Sequence, residues 1–407
     1  MHASKNPDVP EGSALKILMV HSRYQQLGGE DISTRNEARL LRDAGHEVDL
    51  VEYDNHEIDQ MGAARAGLRA IWSPTARRDL SARLAGGGFD ILHVQNYLPM
   101  VSPAVLRLGK RHGVASVQAL RNYRLICTKA QFFRDGKDCH DCLGKTLPWA
   151  GLQHRCYRDS LPATLALTGM IATHRMMGTW SRETDAFIAV SEYVRSKYIE
   201  GGFDPDKVYA KPNVVAAAGP ASTALTRKLV YVGRLSAEKG VDVLIEAWRR
   251  AGVDGELVIA GDGPTREALQ QQAADLSGVR FLGRIPSEDA RALMREARAM
   301  VIPSIWAEPF PRTGVEAMSE GTPVIGASSG GIPELFPDGR GGALYPATDA
   351  DTLATEIREL FASDEKAARW RADARAVFDA HFSPEAVTCR TEEIYAAAIS
   401  RRKARSA

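Results

Sequence analysis

Residues 228–242, KLVYVGRLSAEKGVD, set a run of β-branched and aromatic residues against a short loop bounded by glycines, and helical periodicity follows. This is a strand, a turn and a helix start, with two cations, Arg234 and Lys239, in the turn. The unit recurs along the chain. LKILMVHS, EVDLVEY, FDILHVQN, GVASVQAL and DAFIAVS read as strands of a first half, and KLVYVGRL, GELVIAGDG, VRFLGRI, AMVIPSI and TPVIGAS as strands of a second. Strands alternating with helices predict an α/β architecture of two doubly wound parallel sheets. Such sheets take ligands beyond the carboxyl ends of their strands, so the loops there are where function is sought.

The chain has 407 residues, enough for two domains. Lys plus Arg number 52 and Asp plus Glu 51, so overall charge makes no case for nucleic acid as a partner. The first fourteen residues are polar and read as a disordered lead, not a secretory signal. Leu161 to Ala172, the most apolar stretch, is broken by Thr164, Thr168 and Gly169, too short a run to span a membrane. The expectation is a cytoplasmic protein, peripheral on a membrane at most. The expected organisation is a lead at 1–14, a first domain at 15–214 with a cysteine-rich insertion at 124–160, and a linker at 215–227. A second domain follows at 228–381, then a helix at 382–400 opened by Ser383 as cap with Pro384 at its first position, and a basic tail at 401–407.

Arg234 and Lys239 beside a helix start suit a diphosphate, since the guanidinium grips in a fork and the ammonium adds a point charge; ordinary solvated charge is the bland alternative. In RYQQLGGED, Gly28 and Gly29 precede a helix whose amides could meet an anion, or simply make a turn. GDGPTR, from Gly261 to Arg266, lacks the third glycine of a dinucleotide fingerprint, because Arg266 stands there. Nicotinamide chemistry thereby loses its main support.

WAEPFPRTGVEAMSEGTPVI, residues 306–325, carries Glu308 and Glu316 with seven residues between them. Thr313 and Glu316 have the spacing of a capping box, which accounts for the second glutamate. Two prolines keep Glu308 in an extended loop outside the helix, and capping does not explain it.

Taken together, GRLSAEKG, AGDGP, PSIWAEPFPRTGVEAM, GTPVI and GGIPE resemble the C-terminal half of the retaining GT-B glycosyltransferases, specifically glycosyltransferase family four. The resemblance implies two Rossmann-like domains facing a central cleft, with the last helix crossing back to the N-terminal domain. It implies that Glu308 meets the donor sugar, Glu316 the ribose, and Arg234 with Lys239 the diphosphate. Amides from Arg312 through Thr313 to Gly314 would join the diphosphate site, and Gly283, Arg284 and Ile285 would flank the base. The implied activity is transfer of a sugar from a nucleotide diphosphate sugar to a glycan or lipid-linked acceptor, as in surface polysaccharide synthesis. Cations and a helix dipole stabilise a leaving diphosphate without a divalent metal. Front-face attack is the family's usual reading, with Glu308 positioning and stabilising; a double-displacement nucleophile is the alternative.

Where relatives often carry a histidine after the fourth strand, this chain reads ALRNYRLIC, with Arg121 in that place. Either Arg121 takes over a contact to sugar or phosphate, or the positions are not equivalent. His93 ends another strand and either faces the cleft or is a satisfied buried histidine. Two rivals stand beside a transferase: a nucleotide-sugar epimerase on the same fold, and a non-catalytic binding protein. The intact pair of glutamates and the two cations weigh against both.

Two features remain. Arg65, Arg69, Arg77, Arg78 and Arg83 interleave with Leu68, Ile71, Trp72 and Leu80, a mixture that suits an anionic membrane surface or an ordinary solvated helix pair. Cys127, Cys139, Cys142 and Cys156 fall in one insertion, with His140 and His154 in reserve. Four thiolates on a structural zinc would staple a long loop; free thiols or a disulfide are the alternatives.

Overall fold

The computed structural model describes residues 14–25, 28–216, 219, 223 and 225–406. The expected lead lies outside these residues through position 13, as do positions 217, 218, 220–222 and 224 of the expected linker. The chain divides into two compact units: Met1–Phe132, His140–Val214 and Val387–Ala407 form one, Phe133–Cys139 and Val215–Ala386 the other.

The first unit holds a parallel sheet of β1 (Lys16–Arg23), β2 (Glu47–Asp54), β3 (Ile91–Asn96), β4 (Ala115–Leu120), β7 (Ala186–Ala189) and β8 (Val208–Ala210), in the order β2-β1-β3-β4-β7-β8. A two-stranded hairpin, β5 (Phe133–Arg134) and β6 (Lys137–Asp138), belongs to the second unit. That unit's sheet contains β9 (Lys228–Val232), β10 (Glu256–Ala260), β11 (Val279–Gly283), β12 (Ala299–Ile302), β13 (Val324–Ala327) and β14 (Gly342–Tyr345), ordered β11-β10-β9-β12-β13-β14. Every strand pairing in both large sheets is parallel. Both faces of such a sheet are covered, which is why β3, β4, β12 and β13 are buried along their whole length. The expected α/β doubly wound architecture is present in both units. The ten strands read from the sequence are there, together with two edge strands, β8 and β14, that reading missed.

In the second sheet the chain steps outward from β9 to β11 and then returns to the other side of β9 at β12. The chain therefore leaves β9 and β12 toward opposite edges of the sheet, which makes their ends the switch point where such sheets take ligands. In the first sheet the same reversal falls between β1 and β3.

The last helix, Pro384–Ser406, packs on the first unit. Ser383 caps it, accepting from the Ala386 amide at 3.3 Å. Ile394, Tyr395 and Ala398 join Ile17, Met19, Leu41, Ile91 and Val117 in one apolar cluster. Arg402 donates to the fully buried Asp185 at 2.6 and 2.9 Å. Residues 401–406 thus continue the helix and do not form a tail, because Arg401, Arg402 and Arg405 find carbonyl or carboxylate acceptors on this unit.

Candidate active site

The loop after β9 and the loop after β12 meet at the switch point of the second sheet. Gly240, at φ +62°, turns the first loop where a Cβ would lie 2.1 Å from the Pro303 carbonyl oxygen, so only glycine allows the approach. The Ile305 amide donates to the Glu238 carbonyl at 3.0 Å, tying the loops together. Across this seam Lys239 Nζ lies 2.5 Å from Glu308 Oε2. The Trp306 indole N–H donates to the same oxygen at 3.0 Å and the Ser304 hydroxyl at 3.1 Å. The Lys239 ammonium also sits over the Trp306 ring, 5.2 Å from its centre. Glu308 is 9 % exposed, so these donors offset the cost of holding a carboxylate largely out of water.

The turn Ser329–Gly331, from the GGIPE stretch, supports the backbone of Glu308. Gly331 donates to the Glu308 carbonyl at 2.7 Å, and a Cβ on Gly330, at φ +57°, would lie 2.3 Å from the Glu308 nitrogen and oxygen. Arg234 is exposed on the β9 loop, and its carbonyl accepts the Tyr231 hydroxyl at 2.7 Å. Burial first, and then the carboxylates of Glu308 and Glu238, push that hydroxyl well above its ordinary pKa, so it stays a neutral donor. The two glycines of GDG serve close packing of strand ends: a Cβ on Gly261 or Gly263 would collide with the carbonyls of Gly233 and Leu235.

The capping reading of Thr313 is corrected. The helix runs Arg312–Ser319 with Pro311 at the cap position, so Thr313 lies inside its first turn. Glu316 does not reach back to a helix amide; its Oε1 lies 2.8 Å from Arg312 Nη2. Nor are the amides of this turn all free: Arg312 donates to the Phe310 carbonyl at 3.0 Å and Gly314 to that of Pro311 at 2.9 Å. Gly314 is needed for packing, since a Cβ would meet Leu335 and Ile302 at 2.6 and 2.7 Å. Gly283 ends β11 at φ +70°, accepting from the Gly261 amide at 2.8 Å, with Arg284 exposed and Ile285 half-buried after it.

In the first unit, Gly28 and Gly29 open the helix Gly29–Asp43, but the Gly28 amide donates to Asp31 Oδ2 at 2.7 Å. Buried Asp31 also meets His21 Nε2 at 2.8 Å, so a carboxylate of the chain occupies this helix start. Arg121 is central to a buried network. It donates to Gln95 Oε1 at 2.6 Å and Glu37 Oε2 at 2.9 Å, and to Asn213. Lys211 reaches the other Glu37 oxygen at 2.6 Å. Burial would raise the Glu37 pKa, but Lys211, His93 and Arg121 overcome it and hold the carboxyl below its usual range. His93 is a satisfied buried histidine, its Nδ1 2.7 Å from the Tyr395 hydroxyl, and burial pushes its pKa down to about 4. Beside Arg121, a small polar pocket at the ends of β3 and β4 is lined by Glu30, Asn96, Asn122 and Arg124.

The expected zinc site is not assembled: among the described residues no group of three or more His, Cys, Asp and Glu side chains is placed to hold a metal. The insertion has a core of its own instead. Phe132 is fully buried, its ring 4.6 Å from that of Tyr123 and stacked 4.9 Å from His140, with Cys127 and Cys142 buried nearby in sequence. The expected basic surface is also divided. Leu80 is in the core, and Trp72 lies between the Arg77 guanidinium at 4.6 Å and the His174 ring at 6.2 Å. Of those residues Leu68, Arg65, Arg78 and Arg83 stay exposed.

Sequence reasoning missed Ser304 and Trp306, although both lie within the PSIWAE stretch, and it missed Glu37, Gln95 and Lys211. A serine four and a tryptophan two residues before Glu308 were the available signal.

The profile described as "Glycosyl transferases group 1" matches residues 223–377, and "Glycosyl transferase 4-like domain" matches 28–214. An uncharacterized 42.6 kDa protein in the cps region of Klebsiella pneumoniae is 25 % identical over 358 residues, 79 % of this chain and 87 % of that one. The phosphatidyl-myo-inositol mannosyltransferase of Mycobacterium leprae is 27 % identical, over 88 % of this chain and 85 % of the relative. Among solved structures, Anabaena HepE in complex with UDP and glucose superposes with a TM-score of 0.63 at 18 % identity, covering 93 % of this chain and 98 % of that one.

Proposed function

Since the chain belongs to the group 1 glycosyl transferases, with a GT-B fold, we propose that the crevice at the switch point of its second sheet takes a nucleotide diphosphate sugar and transfers the sugar with retention. The Lys239–Glu308 contact carries this reading: it brings a cation for the leaving diphosphate and a carboxylate for the sugar to one point. As the glycosidic bond to phosphate breaks, negative charge grows on the diphosphate and positive charge on the anomeric carbon. Arg234 and Lys239 oppose the first and Glu308 the second, so the chain's own side chains supply the electrostatics. Three donors on Oε2 draw charge from the carboxylate, which suits electrostatic stabilisation better than double displacement. Glu316, on the helix that follows Glu308 and paired with Arg312, takes the ribose, and Gly283–Ile285 flank the base. Arg121 and its network serve the acceptor side. Similarity to a protein of a cps region and to a phosphatidyl-myo-inositol mannosyltransferase favours a surface glycan or lipid-linked acceptor.

The place of work that fits such an acceptor is a membrane face. Leu68, on the helix Ala63–Ile71, is 69 % exposed, and Leu161 and Leu165, on the helix Leu161–Met176, are 48 % and 58 % exposed. The helices touch where a Cβ on Gly67 would lie 3.2 Å from that of Ala166. Arg65, on the same helix as Leu68, is exposed as well and adds a cation suited to anionic lipid.

Thermal unfolding against a panel of nucleotide sugars tests the donor reading. One base should raise the midpoint with both its diphosphate and its sugar conjugate; a panel with no stabilising member counts against the site.

A further inference from the structure

We infer that Trp306, assisted by Ser304, is a positioning residue that decides which oxygen of Glu308 is offered to the sugar, an inference that rests on the donor reading above. Oε2 takes Lys239 at 2.5 Å, the Trp306 indole N–H at 3.0 Å and the Ser304 hydroxyl at 3.1 Å. A carboxylate oxygen has two lone pairs, so three donors fill it, and a sugar hydroxyl is left with Oε1. Neither helper is free to drift. Ser304 is 2 % and Trp306 8 % exposed, and the Trp306 carbonyl accepts the Ser329 hydroxyl.

Trp306 does two separable things. Its N–H fixes the carboxylate, and its ring face supports the Lys239 ammonium 5.2 Å from the ring centre. It therefore couples the group for the sugar to the group for the diphosphate without touching substrate itself. Replacing the N–H alone leaves the cation supported but removes one of the three donors that orient the carboxylate. Replacing the whole ring loosens both.

The test compares Trp306→Phe, Trp306→Leu and Ser304→Ala with the parent chain, reading kcat and the affinity for the nucleoside diphosphate separately. Trp306→Phe should lower kcat by about ten-fold, the scale of one hydrogen bond to a charged group, while diphosphate affinity stays within about twofold. Ser304→Ala should shift kcat in the same direction, and Trp306→Leu should weaken diphosphate affinity as well. Adding Trp306→Phe to Glu308→Gln should slow the reaction no further, because the pair acts as a unit. Equal kcat in Trp306→Phe and the parent, or effects that multiply in the double variant, overturn the inference. A readout independent of turnover separates its failure from that of the donor reading: the Trp306 indole N–H resonance, assigned through Trp306→Phe, should move on Glu308→Gln. A resonance indifferent to that change overturns the inference even if the chain transfers sugar.

Discussion

Lys239 Nζ and Glu308 Oε2 stand 2.5 Å apart, joining the loop after β9 to the loop after β12. Without donor, each group is the other's partner. On the proposed donor site, a diphosphate at Lys239 would compete with Glu308 for the ammonium, whereas Arg234 would meet it from an exposed position. The two cations therefore should not behave alike. Arg234→Ala and Lys239→Ala should each weaken nucleoside diphosphate binding by about 1.5–3 kcal/mol, but Lys239→Ala should also lower turnover, since Glu308 loses a partner. Calorimetric titration and steady-state rates, each with and without chelator, check this. Normal binding by both variants would place the phosphate site elsewhere.

The network below the first sheet's carboxyl ends predicts a pH dependence. His93 titrates at 6.5 unfolded and about 4 folded, because burial disfavours its charged form. Between those values the unfolded chain binds more protons, so the stability His93 contributes is whole above pH 6.5 and is lost as pH falls toward 4. The loss should reach about 2 kcal/mol by pH 5. Buried His21 and His174 are shifted the same way, so the difference between the parent and His93→Gln isolates this residue. Parallel urea midpoints for the two chains from pH 7.5 to 5 would refute the assignment.

The C-terminal helix offers a stability test. Arg402 and Asp185 are both buried, and removing the guanidinium leaves the carboxylate only the Ser116 amide at 2.8 Å and the more distant Arg405. Arg402→Ala should cost about 3 kcal/mol, seen as a lower urea midpoint, while Arg405→Ala, at a longer 3.4 Å, should cost much less. Equal losses would contradict the ranking of the buried pair above the longer one.

How much of this was legible beforehand followed from how local the physics is. Glycines and charges in the loops after β9 and β12 are set by neighbours in sequence, so Arg234, Lys239 and Glu308 stood out. The capping box misled because Pro311, which fits a helix start, took the cap position and moved Thr313 into the turn. Lys211 was invisible because its partner, Glu37, is 174 residues away and only the sheet order brings them together. β8 and β14 escaped notice because VYA and GALY are short and weakly patterned edges. The cysteines suggested a staple because spacing says nothing of Phe132 and Tyr123 packing.

The exposed leucines predict membrane affinity. The chain should float with vesicles containing anionic lipid, less so in high salt, and Leu68→Ser with Leu165→Ser should abolish flotation while sparing transfer to a soluble acceptor. Binding indifferent to both salt and these leucines would rule out this surface.

The most direct measurement is release of nucleoside diphosphate from a panel of nucleotide sugars, by the parent chain and by Glu308→Gln. The parent should turn over one donor, and Glu308→Gln should bind it within a few-fold yet release product at least about a hundred-fold more slowly, if Glu308 acts mainly as charge develops on the sugar. Near-parental release by Glu308→Gln would contradict that role.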